Sequence, residues 1–116
     1  MWLITTTGFY SIVEKPWDKK DGTLTVRARA REDLEGLRAK GLPELGNVKE
    51  DADADYRFRA QAPRAAVARA VQAQIDGIDY DNFKSAVGKR QGKERAHTYL
   101  DVWAALRPIQ DGRQRG

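Results

Sequence analysis

Leu24-Thr25-Val26-Arg27-Ala28-Arg29-Ala30-Arg31 is the stretch that decides the fold. Leu24, Val26, Ala28 and Ala30 alternate with Thr25, Arg27, Arg29 and Arg31. Successive side chains of a strand point to opposite faces, so a period of two gives one apolar and one polar face. The stretch predicts a β-strand covered on one side. Its arginines fall on the other side.

The period changes immediately afterwards. From about Arg31 to Lys40, Leu34 and Leu37 mark the buried side of a helix. Glu32, Asp33 and Glu35 lie in its first turns and Arg38 and Lys40 near its end, the order a helix dipole favours. Gly41 supplies a C-terminal stop. Upstream, Trp2-Leu3-Ile4-Thr5-Thr6-Thr7 and Phe9-Tyr10-Ser11-Ile12-Val13 are β-branched and aromatic, and Gly8 divides them into two short strands. Residues 15–22 carry Pro16, Asp21-Gly22 and clustered charge, which predicts a loop. Trp17 in that loop is expected to fold back over the sheet edge, because tryptophan is highly buried on average.

Downstream, Pro43 and Gly46 signal a turn. Asn47-Val48-Lys49-Glu50 and Tyr56-Arg57-Phe58-Arg59-Ala60 predict a hairpin around Asp51-Ala52-Asp53-Ala54-Asp55. Its second arm places Tyr56, Phe58 and Ala60 on one face and Arg57, Arg59 and Gln61 on the other. The chain then turns helical. Pro63 suits a first helical turn. Val67, Val71, Ile75 and Ile78, with Ala66, Ala70 and Ala73 alongside, form one apolar stripe. Asp81 is the expected cap of a short helix carrying Phe83, Ala86 and Val87. A last helix is expected to bury Ala96, Tyr99, Leu100, Trp103 and Leu106 and to stop near Pro108.

Strands come first and helices last, which specifies an α+β fold. The expected architecture is a four- to five-stranded, mostly antiparallel sheet in the N-terminal half, with the C-terminal helices packed on one face. Residues 1–110 make a single α+β domain, since 116 residues suit one domain. Residues 111–116 lack apolar anchors and read as a flexible basic tail.

Composition narrows the functions. Hydrophobic residues are 41% and charged residues 33%, a globular balance. Cysteine is absent, which excludes a disulfide framework, a thiolate nucleophile, cysteine-ligated zinc and iron–sulfur clusters. His97 is the one histidine, so a multi-histidine metal site within the chain is excluded. No apolar run approaches the ~20 residues of a membrane span. The start lacks a basic n-region and a long apolar h-region, so it does not read as a signal peptide, and a cytoplasmic location is expected. Neither G-x-x-x-x-G-K-[ST] nor G-x-G-x-x-G occurs, so no nucleotide cofactor is implied. A net charge of +4 admits nucleic acid or an acidic protein as partner and requires neither.

Four places carry candidate chemistry. If the two arginine-bearing strands share a sheet, Arg27, Arg29, Arg57 and Arg59 form a basic patch on its open face, suited to phosphates. Tyr10 and Trp17 add stacking surfaces if they lie on that side. The plainer reading is a solvated face with its arginines paired to neighbouring carboxylates. Asp51-Ala52-Asp53-Ala54-Asp55 opens like a calcium loop, but Tyr56 and Ala62 stand where an EF-hand needs Gly and Glu. It reads as a solvated acidic loop, with no metal site. His97 and Asp101 are one helical turn apart and can pair, as in general-base arrangements. No third member is evident and G-x-S-x-G is absent, so a surface ion pair is the ordinary reading. In Asp79-Tyr80-Asp81-Asn82-Phe83-Lys84 an Asp caps the next helix while Tyr80 and Phe83 fix the crossing. Its functional reading is a recognition corner presenting Tyr80 and Lys84.

Gly8-Phe9-Tyr10-Ser11-Ile12-Val13, Val26-Arg27-Ala28-Arg29, Asp55-Tyr56-Arg57-Phe58-Arg59 and Ile78-Asp79-Tyr80-Asp81-Asn82-Phe83-Lys84 are similar to a family of small bacterial and phage proteins. The similarity runs to about Gln110, with Asp-Tyr-Asp-Asn-Phe-Lys its most specific part. The family has no established activity, so the resemblance implies a bacterial or bacteriophage cytosolic origin and assigns no residue a role.

Together these readings favour a small non-enzymatic binding module for a protein or nucleoprotein partner. Arg27, Arg29, Arg57 and Arg59 supply charge-assisted contacts, with Trp17, Tyr80 and Lys84 as further contact residues. A phage-encoded inhibitor of a host defence complex is one concrete version. The competing classes are a nucleic-acid-binding protein, or a small ribonuclease or toxin with His97 as base and Arg90, Lys93 or Arg95 steadying phosphate charge. A third is the subunit of a homo-oligomer.

Overall fold

The alternating stretch becomes the central strand of a five-stranded, wholly antiparallel sheet. The computed structural model describes residues 1–112. The strands are β1 (Trp2–Ile4), β2 (Phe9–Val13), β3 (Thr23–Ala28), β4 (Lys49–Glu50) and β5 (Phe58–Pro63), in the order β1-β2-β3-β5-β4. Register assigns the faces. Ile12 pairs with Val26, Val26 with Ala60 and Leu24 with Ala62, so the apolar residues of three strands share one face. Helices α2 (Arg31–Lys40) and α3 (Arg64–Asp76) pack against β3 and β5 and close that face. Leu34, Leu42, Val67 and Ala70 complete the core with Tyr10, Ile12 and Val26. The fold is α+β, as the sequence predicts.

Gly8 separates β1 from β2 because nothing larger fits there. The Tyr10 hydroxyl donates to the Asp33 carbonyl at 3.1 Å, and the Phe9 N–H donates to Asp33 Oδ2 at 3.0 Å. A Cβ at Gly8 would lie 2.5 Å from Tyr10 Oη and 2.8 Å from Cζ. Tyr10 is fully buried and its hydroxyl is tethered, so the ring has nowhere to go. Gly8→Ala should therefore lower stability by about 2 kcal/mol, an overpacking cost. A urea titration should show a lower midpoint at unchanged slope. An unchanged midpoint would mean that the hairpin relaxes freely.

Residues 16–21 correct the expectation of a loop. They form α1 (Pro16–Asp21). Proline and Asp-Gly are helix-end signals as much as turn signals. Pro16 occupies the first turn, and Asp18 Oδ2 accepts the Lys15 N–H at 2.8 Å, satisfying a free helix-start donor. Gly22 ends the helix in the left-handed region at φ 69°.

The apolar stripe of α3 is shorter than predicted. Ala66, Val67 and Ala70 are buried and Val71 packs beside them, but Ile75 and Ile78 are exposed. Beyond Val71 the half-buried Gln74 still reaches back to the Thr7 hydroxyl at 3.5 Å.

The chain divides into two compact units, Met1–Asp79 and Tyr80–Gly116. In the second, α4 (Phe83–Gln91) packs on α5 (Lys93–Gln110). Ala86, Val87 and Ala96 are buried, and Phe83 stacks on Tyr99 at 6.1 Å between ring centroids. The cap of α4 is Asn82 rather than Asp81: its Oδ1 accepts the Ser85 N–H at 2.9 Å. Trp103 and Leu106, expected inside, are 61% and 53% exposed. The reason is length, since α4 has 9 residues against 18 in α5 and cannot cover its whole length. α5 also runs through Pro108 to Gln110 instead of stopping before it. Asp111 and Gly112 form a turn after it. The rest of the expected flexible tail, residues 113–116, lies outside the described residues. Among the described residues no helix is long and apolar enough to cross a membrane.

Candidate anion-binding face

The register that buries Val26 against Ala60 sets two arginines opposite each other on the far face. Arg27 is the direct partner of Arg59, and Ser11 sits beside Arg27 on β2. Like charges directly opposite destabilise a strand pair. Local contacts hold both side chains in place. Arg27 Nη2 donates to Ser11 Oγ at 2.7 Å, and Arg59 Nη2 donates to the Tyr56 carbonyl at 3.1 Å. The Nε atoms of Arg27 and Arg59 are buried with no hydrogen-bond partner.

Tyr56 organises this cluster. The Arg27 guanidinium lies 4.6 Å and that of Arg29 5.0 Å from its ring centroid, within cation–π range. The ring also packs on Phe9 at 6.3 Å and is 4% exposed. This corrects the expectation that Tyr56 shares a face with Phe58 and Ala60. β5 begins only at Phe58, so the strand alternation does not extend back to Tyr56. Arg29 likewise lies just past the end of β3, where the ring reaches it.

Arg57 goes elsewhere. It pairs with Glu50 at 2.6 Å and lies over the Phe58 ring at 5.7 Å. Arg31 joins the same two groups, 3.6 Å from Glu50 and 5.3 Å from the Phe58 ring. The hydrogen bond from Arg57 holds the Glu50 carboxyl below its ordinary value. Arg38 pairs with Glu35 at 2.6 Å, Arg69 with Glu44 at 2.6 Å, and Arg64 with Glu14. The arginines thus sort into two groups. Among the described residues no carboxylate pairs with Arg27, Arg29 or Arg59, nor with Lys49, the cross-strand partner of Arg59.

A groove of about 260 Å³ opens beside Arg59, lined by Trp17, Thr25, Asn47, Lys49 and Gln61. Trp17 is 49% exposed, so it forms a wall instead of folding fully back. Beneath it, Asp18 is 1% exposed and wholly committed. It accepts the Thr23 hydroxyl at 2.6 Å, the Thr25 hydroxyl at 2.8 Å, Gln61 Nε2 at 2.8 Å and the Lys15 N–H. Burial pushes the Asp18 carboxyl up, but hydrogen bonds from Thr23, Lys15, Gln61 and Thr25 outweigh it and hold it at about 2. The reading of the sequence missed Asp18. Its signal was an Asp at the third position of a helix that Pro16 opens, which the loop assignment hid.

Tyr80 and Lys84 belong to the second unit. Tyr80 is half-buried, 6.0 Å from Phe83 between centroids, and Lys84 is exposed. Neither an ion pair nor a hydrogen bond joins His97 to Asp101, and both are exposed. Asp51 and Asp55 spend carboxylate oxygens on their own loop, accepting the Asp53 N–H at 3.0 Å and the Tyr56 N–H at 2.9 Å. Tyr10 points into the core, so it offers no stacking surface. No protein-family model, no curated protein and no solved structure matches this chain.

Proposed function

We propose that this chain is a non-enzymatic binding module that holds the phosphates of a nucleoprotein partner on the face carrying Arg27, Arg29 and Arg59. One observation carries the reading. Two arginines stand directly opposite each other, and among the described residues no carboxylate pairs with either, while most other described arginines of the same unit are paired. An anion from outside would relieve that repulsion. Guanidinium groups suit phosphate through planar, bidentate contacts. The Trp17 wall and Lys49 fit a single strand, whose bases stack on aromatic side chains while cations track its backbone. An inhibitor that occupies such a partner would use the same residues. Catalysis at His97 has less support, because among the described residues no carboxylate is bonded to its ring.

The test is fluorescence anisotropy with a labelled single-stranded oligonucleotide between about 50 and 200 mM salt. Affinity should fall steeply with salt, with a log–log slope of about −0.7 per phosphate neutralised. The Arg27→Ala, Arg59→Ala double variant should flatten that slope by roughly 1.4 and bind at least tenfold more weakly at low salt. Equal affinity for the double variant and wild type would remove the sheet face from consideration. Arg57→Ala is the internal control, because Arg57 already has Glu50.

A further inference from the structure

The helical unit carries a second cationic groove, made independently of the sheet. It opens between α4 and α5 with a volume of about 540 Å³. Asn82, Lys84 and Ser85 line it from the start of α4, and Lys93 and His97 from α5. Its floor is the close approach of the two helices, where a Cβ on Gly88 would stand 4.0 Å from that of Ala96. Small residues at this crossing keep the groove open between longer side chains.

The charge pattern is one-sided. Lys84, Lys93 and His97 are exposed, and no carboxylate among the described residues pairs with any of them. Two further cations of this segment, Arg90 and Arg95, are engaged: Arg95 Nη1 donates to the Tyr99 hydroxyl at 3.2 Å, and Arg90 also has a partner. The lining therefore offers two ammonium groups, one imidazole and the Ser85 hydroxyl, all donors to an oxyanion. Lysine binds phosphate as a mobile point charge. The first turn of α4 adds the positive end of its dipole on the same side.

We infer that this groove binds a phosphate group, with Lys84 and Lys93 supplying charge and His97 and Ser85 completing its hydrogen bonds. A phosphate has enough acceptor oxygens to engage all four at once. The inference stands on the helical unit alone and does not rest on the sheet-face reading. The group has two sources, a terminal phosphomonoester or a backbone phosphodiester.

The single histidine makes the test direct. In the full chain, His97 gives one imidazole Cε1–H signal by NMR. Inorganic pyrophosphate is titrated in at constant ionic strength and pH, with chloride as the reference salt. The expected result is a saturable shift of the His97 signal that chloride does not produce. Lys84→Ala combined with Lys93→Ala should weaken the apparent affinity at least tenfold, and both positions are exposed, so the fold should survive. Arg27→Ala with Arg59→Ala should leave the response unchanged, which separates this site from the sheet face. A 5′-phosphorylated oligonucleotide is then compared with the same strand unphosphorylated. Saturation by both assigns the site to backbone diesters, and saturation by the phosphorylated strand alone assigns it to a monoester. A shift that chloride reproduces, or that survives loss of both lysines, overturns the proposal.

Discussion

Asp18→Ala should lower stability by about 3 kcal/mol and the melting temperature by roughly 10 °C. The carboxylate is the common acceptor for Thr23, Thr25, Gln61 and the Lys15 N–H, and it is 1% exposed. Alanine takes the shared acceptor from four donors at once, of which the buried Thr25 hydroxyl loses most, and a lost buried acceptor costs more than the bond it made. Asp21→Ala on the same helix is exposed and should change little. The pH dependence has a definite sign. Asp18 is held at about 2 in the folded chain against an ordinary 3.8. A depressed carboxyl stabilises the fold above the unfolded value and loses that contribution as pH falls through the folded one. About 2 kcal/mol should therefore disappear between roughly pH 4 and pH 2. In Asp18→Asn that part of the acid limb should be missing, and stability at neutral pH should already be reduced. An Asp18→Ala protein that melts with wild type would show that the bonds to Asp18 are replaceable by solvent.

Much of the sheet was legible because period two is a strong local signal. Leu24, Val26 and Ala28 predicted their own face, and Gly8 predicted its own break. What stayed hidden depended on partners distant in sequence. Pro16, Asp18 and Gly22 were local marks of a helix over residues 16–21, but Gln61 reaches Asp18 across 43 residues, so no local pattern could show that this helix is tied to the sheet. The pairing of Arg27 with Arg59 followed once both strands shared a sheet, yet alternation carried Arg57 into the same patch by mistake. Strand β5 starts after it, and Glu50 draws it away. The exposed Trp103 and Leu106 failed for a different reason. Helical periodicity shows which side is apolar but not how far a partner helix extends, and α4 ends after nine residues.

Tyr56 is where stability and the proposed function meet, and its substitution should disturb both. Tyr56→Ala should cost about 3 kcal/mol, since it empties a buried aromatic site beside Phe9. Tyr56→Phe keeps the ring, and the described structure shows no hydrogen bond to the tyrosine hydroxyl, so it should be close to neutral. Tyr56→Leu separates the two roles. Leucine retains most of the apolar contact but has no ring face for the guanidinium groups of Arg27 and Arg29. Each cation–π contact is worth about 1 kcal/mol when partly shielded. Without them, two like charges lose the surface that keeps them adjacent, and their side chains must be ordered by the ligand instead. Single-strand affinity at low salt should then drop several-fold in Tyr56→Leu and stay near wild type in Tyr56→Phe. Wild-type affinity in the leucine variant would mean that Tyr56 is packing alone and that the arginines bind, if they bind, without a platform.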